Sequence, residues 1–104
     1  MHKSYKLYIG LRDRNGNPQD RDNSQWWVTE RLDEFGIDSF LIVDGVGVWK
    51  GTAEKCLVVE VISKDDIKQD LETVADWLTQ DLKQEAILMT IQEVEQTLIY
   101  RTAL

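Results

Sequence analysis

The stretch SKDDIKQDLETVADWLTQDL, Ser63 to Leu82, decides the fold. Ile67, Leu71, Val74, Leu78 and Leu82 recur at spacings of four, three, four and four. Residues three and four apart share one face of a helix. The spacing therefore predicts an amphipathic helix over about 64–83 with a single apolar stripe to bury. Ser63 and Asp66 predict its start, as a capping box with Asp in place of the usual Glu or Gln. Trp77 borders the stripe and reads as core.

Working toward the N-terminus, the period changes from helical to two. Cys56 to Ile62 places Leu57, Val59 and Val61 on one face and Val58 and Glu60 on the other, which predicts a strand. Lys50 to Ala53 before it is turn chemistry. The apolar run Phe40 to Val43 predicts a strand over Ser39 to Asp44. Gly45 and Gly47 after it predict a bulge or a close backbone approach, with Trp49 beyond. Ser24 predicts the cap of a helix over Gln25 to Phe35, stopped at Gly36. Val28, Leu32 and Phe35 share its inner face, and Trp27 lies on the edge of that face. Arg12 to Asn23, with Asn15-Gly16-Asn17-Pro18, is the longest expected loop. Tyr5, Leu7, Ile9 and Leu11 alternate with Lys6, Tyr8 and Gly10, another strand. On the other side of the deciding helix, Glu85 to Glu93 carries Ile87, Met89 and Ile91 in phase. Thr97 to Leu104 either extends that strand or packs separately.

The order is strand, helix, strand, strand, helix, strand, in one domain over 1–104. This is the split βαβ pattern of a ferredoxin-like α+β sandwich. Right-handed crossovers then favour a four-stranded antiparallel sheet with strands one and three central and both helices on one face.

Composition narrows the function. Nineteen acids against twelve bases leave a formal charge of −7, which opposes binding to nucleic acid or anionic membrane. The acidity suits a basic protein partner instead. One cysteine, Cys56, in an apolar run, and one histidine, His2, at the terminus, leave no disulfide and no metal-ligand spacing. A nucleophile system built on histidine is nearly excluded for the same reason. No cofactor is expected. No apolar run approaches membrane-spanning length, and no signal peptide is visible, so a cytoplasmic location is the default expectation.

Several short motifs resemble a known family. Leu7-Tyr8-Ile9-Gly10 before a polar loop and a Trp-led helix resembles the start of the bacterial domain of unknown function numbered 3574 (DUF3574). Phe40 to Trp49 is similar to that family's strand ending in Asp-x-x-Gly-x-Trp. Glu54-Lys55-Cys56 and Gln84-Glu85-Ala86-Ile87-Leu88 are similar to its leads into the third and fourth strands. Two departures stand out. Phe35-Gly36-Ile37-Asp38 lacks the family's proline, and Cys56 replaces its serine. The resemblance implies the ferredoxin-like fold and no established activity.

Strand directions gather Gly10, Trp26 or Trp27, Asp44, Gly47, Trp49, Glu54, Gln84 and Glu85 at the end of the sheet where strand one finishes. Trp27, Asp44, Trp49, Glu54, Gln84 and Glu85 are the candidate ligand-binding residues. Carboxylates beside indole faces suit a small cationic or polar molecule. The function expected first is a non-enzymatic ligand-binding or protein-interaction module. The alternatives are a small-molecule enzyme with Glu54 and Glu85 as an acid–base pair aided by Tyr8, and an acidic phage- or plasmid-type interference protein on a basic host surface. A homodimer or higher oligomer is expected through the sheet face that no helix covers, unless Leu98-Ile99-Tyr100 covers it within one chain.

Overall fold

In a computed structural model, which describes residues 1–101, the six elements occur in the expected order. They are β1 (His2–Gly10), α1 (Arg21–Asp33), β2 (Leu41–Trp49), β3 (Thr52–Ser63), α2 (Lys68–Asp81) and β4 (Leu88–Val94). The sheet order is β2-β3-β1-β4, with every neighbouring pair antiparallel. This is the ferredoxin-like arrangement, with β1 and β3 central.

The core lies between the helices and one sheet face. Tyr5, Leu7 and Ile9 of β1 and Leu57, Val59 and Val61 of β3 meet Val28 and Leu32 of α1 and Leu71, Val74, Leu78 and Leu82 from α2 and its C-terminal end. Both helices thus cover the same face. Burying each of the larger apolar side chains contributes roughly 1.5–3 kcal/mol. Arg31 joins the two helices at their outer edge. Its Nε and Nη2 donate to the two oxygens of Asp81 at 2.7 and 2.9 Å. Its guanidinium lies 5.4 Å from the Trp27 ring and 4.9 Å from the Trp77 ring, and Trp77 stacks on Phe35. A planar fork that also stacks is what arginine provides and lysine does not.

Local chemistry moves several boundaries. Helix α1 starts at Arg21 and not at Gln25, because the Asp20 carboxylate accepts the Asp22 N–H and serves as the cap. Ser24 is buried inside the helix, and its hydroxyl donates to the Asp20 carbonyl. Helix α2 starts at Lys68 because Ser63 and Asp66 each accept the N–H two residues on, making two local turns in place of a capping box. Strand β2 does not stop at Asp44. Its register against β3 runs unbroken through Gly45, opposite Cys56, and Gly47, opposite Glu54, so the glycines make no bulge. The hairpin turn is only Lys50-Gly51, with φ of 49° and 77°, the positive pair that matches strand twist in a two-residue turn. Strand β4 begins at Leu88, after Lys83 turns the chain at a φ of 51°.

The segment after Val94 is not a strand, up to Arg101. Leu98, Ile99 and Tyr100 are 71%, 92% and 80% exposed, so they do not cover the open face. The remainder of the expected Thr97–Leu104 segment, 102–104, lies outside the described residues.

Candidate functional site

The open face of the sheet is set by parity. Residues in phase with Leu7 and Leu57 face the helices, and their neighbours face away. The outward set at the end of β1 is Tyr8 and Gly10, at the end of β2 Gly45, Gly47 and Trp49, and at the start of β3 Glu54 and Cys56. Three glycines therefore flank the Glu54–Cys56 row, and the sheet surface there is mostly bare backbone. The connection from α2 to β4 supplies Gln84 and Glu85, and Leu88 lies opposite Tyr8. Arg12 to Gly16 closes a further side. Together they line a half-open cleft of about 500 Å³, within the range of about 300–1,000 Å³ usual for small-molecule sites.

Glu54 is the centre of the cleft. Its side chain lies across Gly10, where a Cβ would collide with the Glu54 carboxylate and sit 3.4 Å from Gln84 Oε1. Glycine at position 10 is thus needed for close approach. Glu54 is half-buried, and among the described residues nothing donates a hydrogen bond to its carboxylate. Gln84 is 7% exposed, and its Nε2 donates to the carbonyls of Arg12 at 2.8 Å and Leu82 at 3.4 Å. It holds the loop after β1 against the connection before β4, assisted by Arg14 N–H to the Lys83 carbonyl at 2.8 Å. Asp13 stiffens the loop by accepting the N–H groups of Asn15 and Asn17. The Asn17 bond is the main cause holding the Asp13 carboxyl below its ordinary value. At the mouth, Lys50 Nζ lies 3.3 Å from Glu85 Oε1 and 5.9 Å from the Trp49 ring centroid. Burial, then the charges of Glu54 and Asp44, push the Cys56 thiol above its ordinary value, so its sulfur is neutral near pH 7 and a poor nucleophile.

Of the residues expected at this end, Gly10, Gly47, Trp49, Glu54, Gln84 and Glu85 line the cleft, and so does Tyr8, the candidate aid to the acid–base pair. Trp27 does not. It packs in the helix layer between Trp26 and Arg31. Asp44 does not either. It is in register with Leu57, so it points to the helix side, where Arg21 grips it at 2.6 and 3.1 Å. That bond lowers the Asp44 carboxyl below its usual range. Strand direction specifies an end of the sheet but not a face. Carrying the alternation of β2 past Gly45 separates Asp44 from Gly47 and Trp49. The same count places Cys56 in the cleft, and only the tight turn brings Lys50 to its mouth. Among the described residues no group of three or more His, Cys, Asp or Glu could hold a metal, and no helix is long and apolar enough to cross a membrane.

Solved structures share this fold. A phage SAM lyase in complex with S-methyl-5'-thioadenosine superposes with a TM-score of 0.67 at 22% identity, over 88% of this chain and 81% of that one. The apo state of a phage SAM lyase gives 0.61 at 22% identity, over 86% and 78%. A DUF3240 family protein from Shewanella baltica OS155 gives 0.68 at 10% identity, over 95% and 97%. At these identities the likeness is one of fold. No family model and no curated protein matches the chain, so the resemblance to domain 3574 assigns it to no family.

Proposed function

We propose that the cleft binds a small adenosyl compound, a sulfonium or its thioether product, and that the chain is a lyase acting on the sulfonium. The observation that carries this reading is Glu54, a half-buried carboxylate with no donor among the described residues, laid over Gly10 beside an exposed indole. The phage SAM lyase, of the same fold, supports the choice of ligand class; fold alone would not, since one fold hosts many activities.

The chemistry suits what the cleft holds. In S-adenosyl-L-methionine the sulfonium is already a leaving group. The substrate's own carboxylate attacks its γ-carbon, a C–O bond forms, the Cγ–S bond breaks, and the bonding pair goes to sulfur. Neutral S-methyl-5'-thioadenosine and a lactone result, with no atom taken from the protein. Such a step asks for a folded substrate, which is a matter of orientation. The sulfonium charge is lost as its bond breaks, so fixed carboxylates serve to bind and place the cations and not to stabilise the transition state. Glu54 holds the ammonium, and Tyr8 and Trp49 supply aromatic surface. Glu54 and Glu85 act here as fixed charges and not as an acid–base pair.

A second reading is a module that binds without cleaving. The exposure of Trp49 and Glu85 favours it, because water reaches the cleft. The phage source of the neighbour is compatible with the expected phage-type protein. The DUF3574 likeness also stays with this reading, since Gly47, Trp49, Glu54, Gln84 and Glu85, which carry it, line the cleft. The test is incubation with S-adenosyl-L-methionine followed by chromatography for S-methyl-5'-thioadenosine. Product from the wild type and not from Glu54→Gln is expected. Binding by calorimetry without product leaves the module, and binding of neither compound overturns both readings.

We also propose that a second copy of the chain covers the open face beyond the cleft. Leu41, Val43 and Ile62 are exposed there, and the same molecule exposes Leu98, Ile99 and Tyr100. Two copies can cover both apolar sets at once.

A further inference from the structure

The ammonium of Lys50 occupies the mouth of the cleft as a ligand's cation would, against Glu85 Oε1 at 3.3 Å and 5.9 Å from the Trp49 ring centroid. We infer that Trp49 and Glu85 form a cation subsite, filled at rest by the chain's own Lys50, which gives way to the sulfonium of the ligand. This inference rests on the reading of the cleft above and names the group that the mouth of that cleft selects.

Two independent features support it. The first is the geometry of the pair. An indole face attracts a cation within about 6 Å of its centroid, and a carboxylate beside it supplies full charge. A sulfonium has no N–H to donate, so it gains from both groups without needing a hydrogen bond. The second is the turn. Lys50 is the first residue of a two-residue hairpin loop with a φ of 49°, a position where Asn, Asp or Gly is preferred. A lysine there works against the turn and has its reason outside it, in the contact with Glu85 across 35 residues of sequence.

The arrangement is poised to open. The side chains of Lys50 and Glu85 are 70% and 60% exposed. An ion pair that wet is weak, so expelling Lys50 weakens cation binding by a factor of about five at most. A neutral thioether has no charge to compete with Lys50, so the lysine returns to Glu85 once a sulfonium becomes a thioether. The mouth is therefore selective for the charged form.

The test uses trimethylsulfonium, which carries the cation and nothing else, titrated into the full chain while the Trp49 indole N–H resonance is followed by NMR. Lys50→Met keeps the stem and removes the charge, and its Kd should be about two- to fivefold lower than wild type, the advantage shrinking as salt is raised. Glu85→Gln should abolish the shift. A Lys50→Met protein that binds no tighter than wild type, or a Trp49 resonance that does not move in either protein, overturns the inference. Failure of the nucleoside reading shows separately, in the calorimetry with S-methyl-5'-thioadenosine, which contains no cation.

Discussion

Replacing Gly10 by alanine tests the cleft with one methyl group. The added Cβ would collide with the Glu54 carboxylate and lie 3.2 Å from its Cδ, so Glu54 must rotate away. The backbone does not resist, because the φ of Gly10 is outside the positive region. Alanine in a compatible conformation stabilises by about 0.4–1 kcal/mol through the unfolded chain. Moving Glu54 off its preferred rotamer costs about 0.5–1.5 kcal/mol, and among the described residues it has no hydrogen-bond donor to lose. The two effects nearly offset, so the melting temperature should move by no more than about 6 °C in either direction. Binding responds differently. A hydrogen bond to a charged group contributes about 1.5–3 kcal/mol, so losing the Glu54 contact weakens a ligand with an ammonium about ten- to hundredfold. Calorimetric titration with S-adenosyl-L-homocysteine, which keeps the ammonium but has no sulfonium, reads the affinity beside a thermal melt. A melting temperature lowered by more than about 10 °C would show Glu54 to be a fixed structural group. An unchanged affinity would show that the ligand does not touch it.

Leu78 is fully buried between α2 and the sheet; Leu78→Ala should cost about 2–5 kcal/mol in urea unfolding, and a loss under about 1 kcal/mol would contradict the packing described. Asp44 has its carboxyl depressed by Arg21, so its contribution is present above the unfolded carboxylate value and lost as pH falls through the lower folded value. Asp44→Asn should therefore flatten the decline in stability below about pH 4, as thermal melts between pH 2 and pH 6 would reveal. Val43→Lys on the open face should shift sedimentation toward the monomer; a wild type that stays monomeric at high concentration removes the second copy from that face.

How much of this was legible beforehand depends on the range of the interaction. The stripe from Ile67 to Leu82 and the alternation of Tyr5, Leu7 and Ile9 each repeat one period, so helix, strand and their order followed from local chemistry. Strand directions then brought Glu54 and Gln84-Glu85 to one end of the sheet. Boundaries were less legible, because Asp20 competes with Ser24 to cap α1, and because Gly45 and Gly47 look like an interruption while the β3 register holds them in line.

The sequence by itself determined the ferredoxin-like fold, the burial of one sheet face and the acidity, since each depends on composition or on residues within a few turns of one another. Only the tertiary structure decided which side chains share the cleft. Asp44 and Gly47 are three residues apart on opposite faces, Glu54 rests on a glycine from another strand, and Lys50 meets Glu85 across the end of the sheet. Those contacts depend on how tightly Lys50-Gly51 turns and where the α2–β4 connection lies, and such geometry is fixed by the packing of the whole chain.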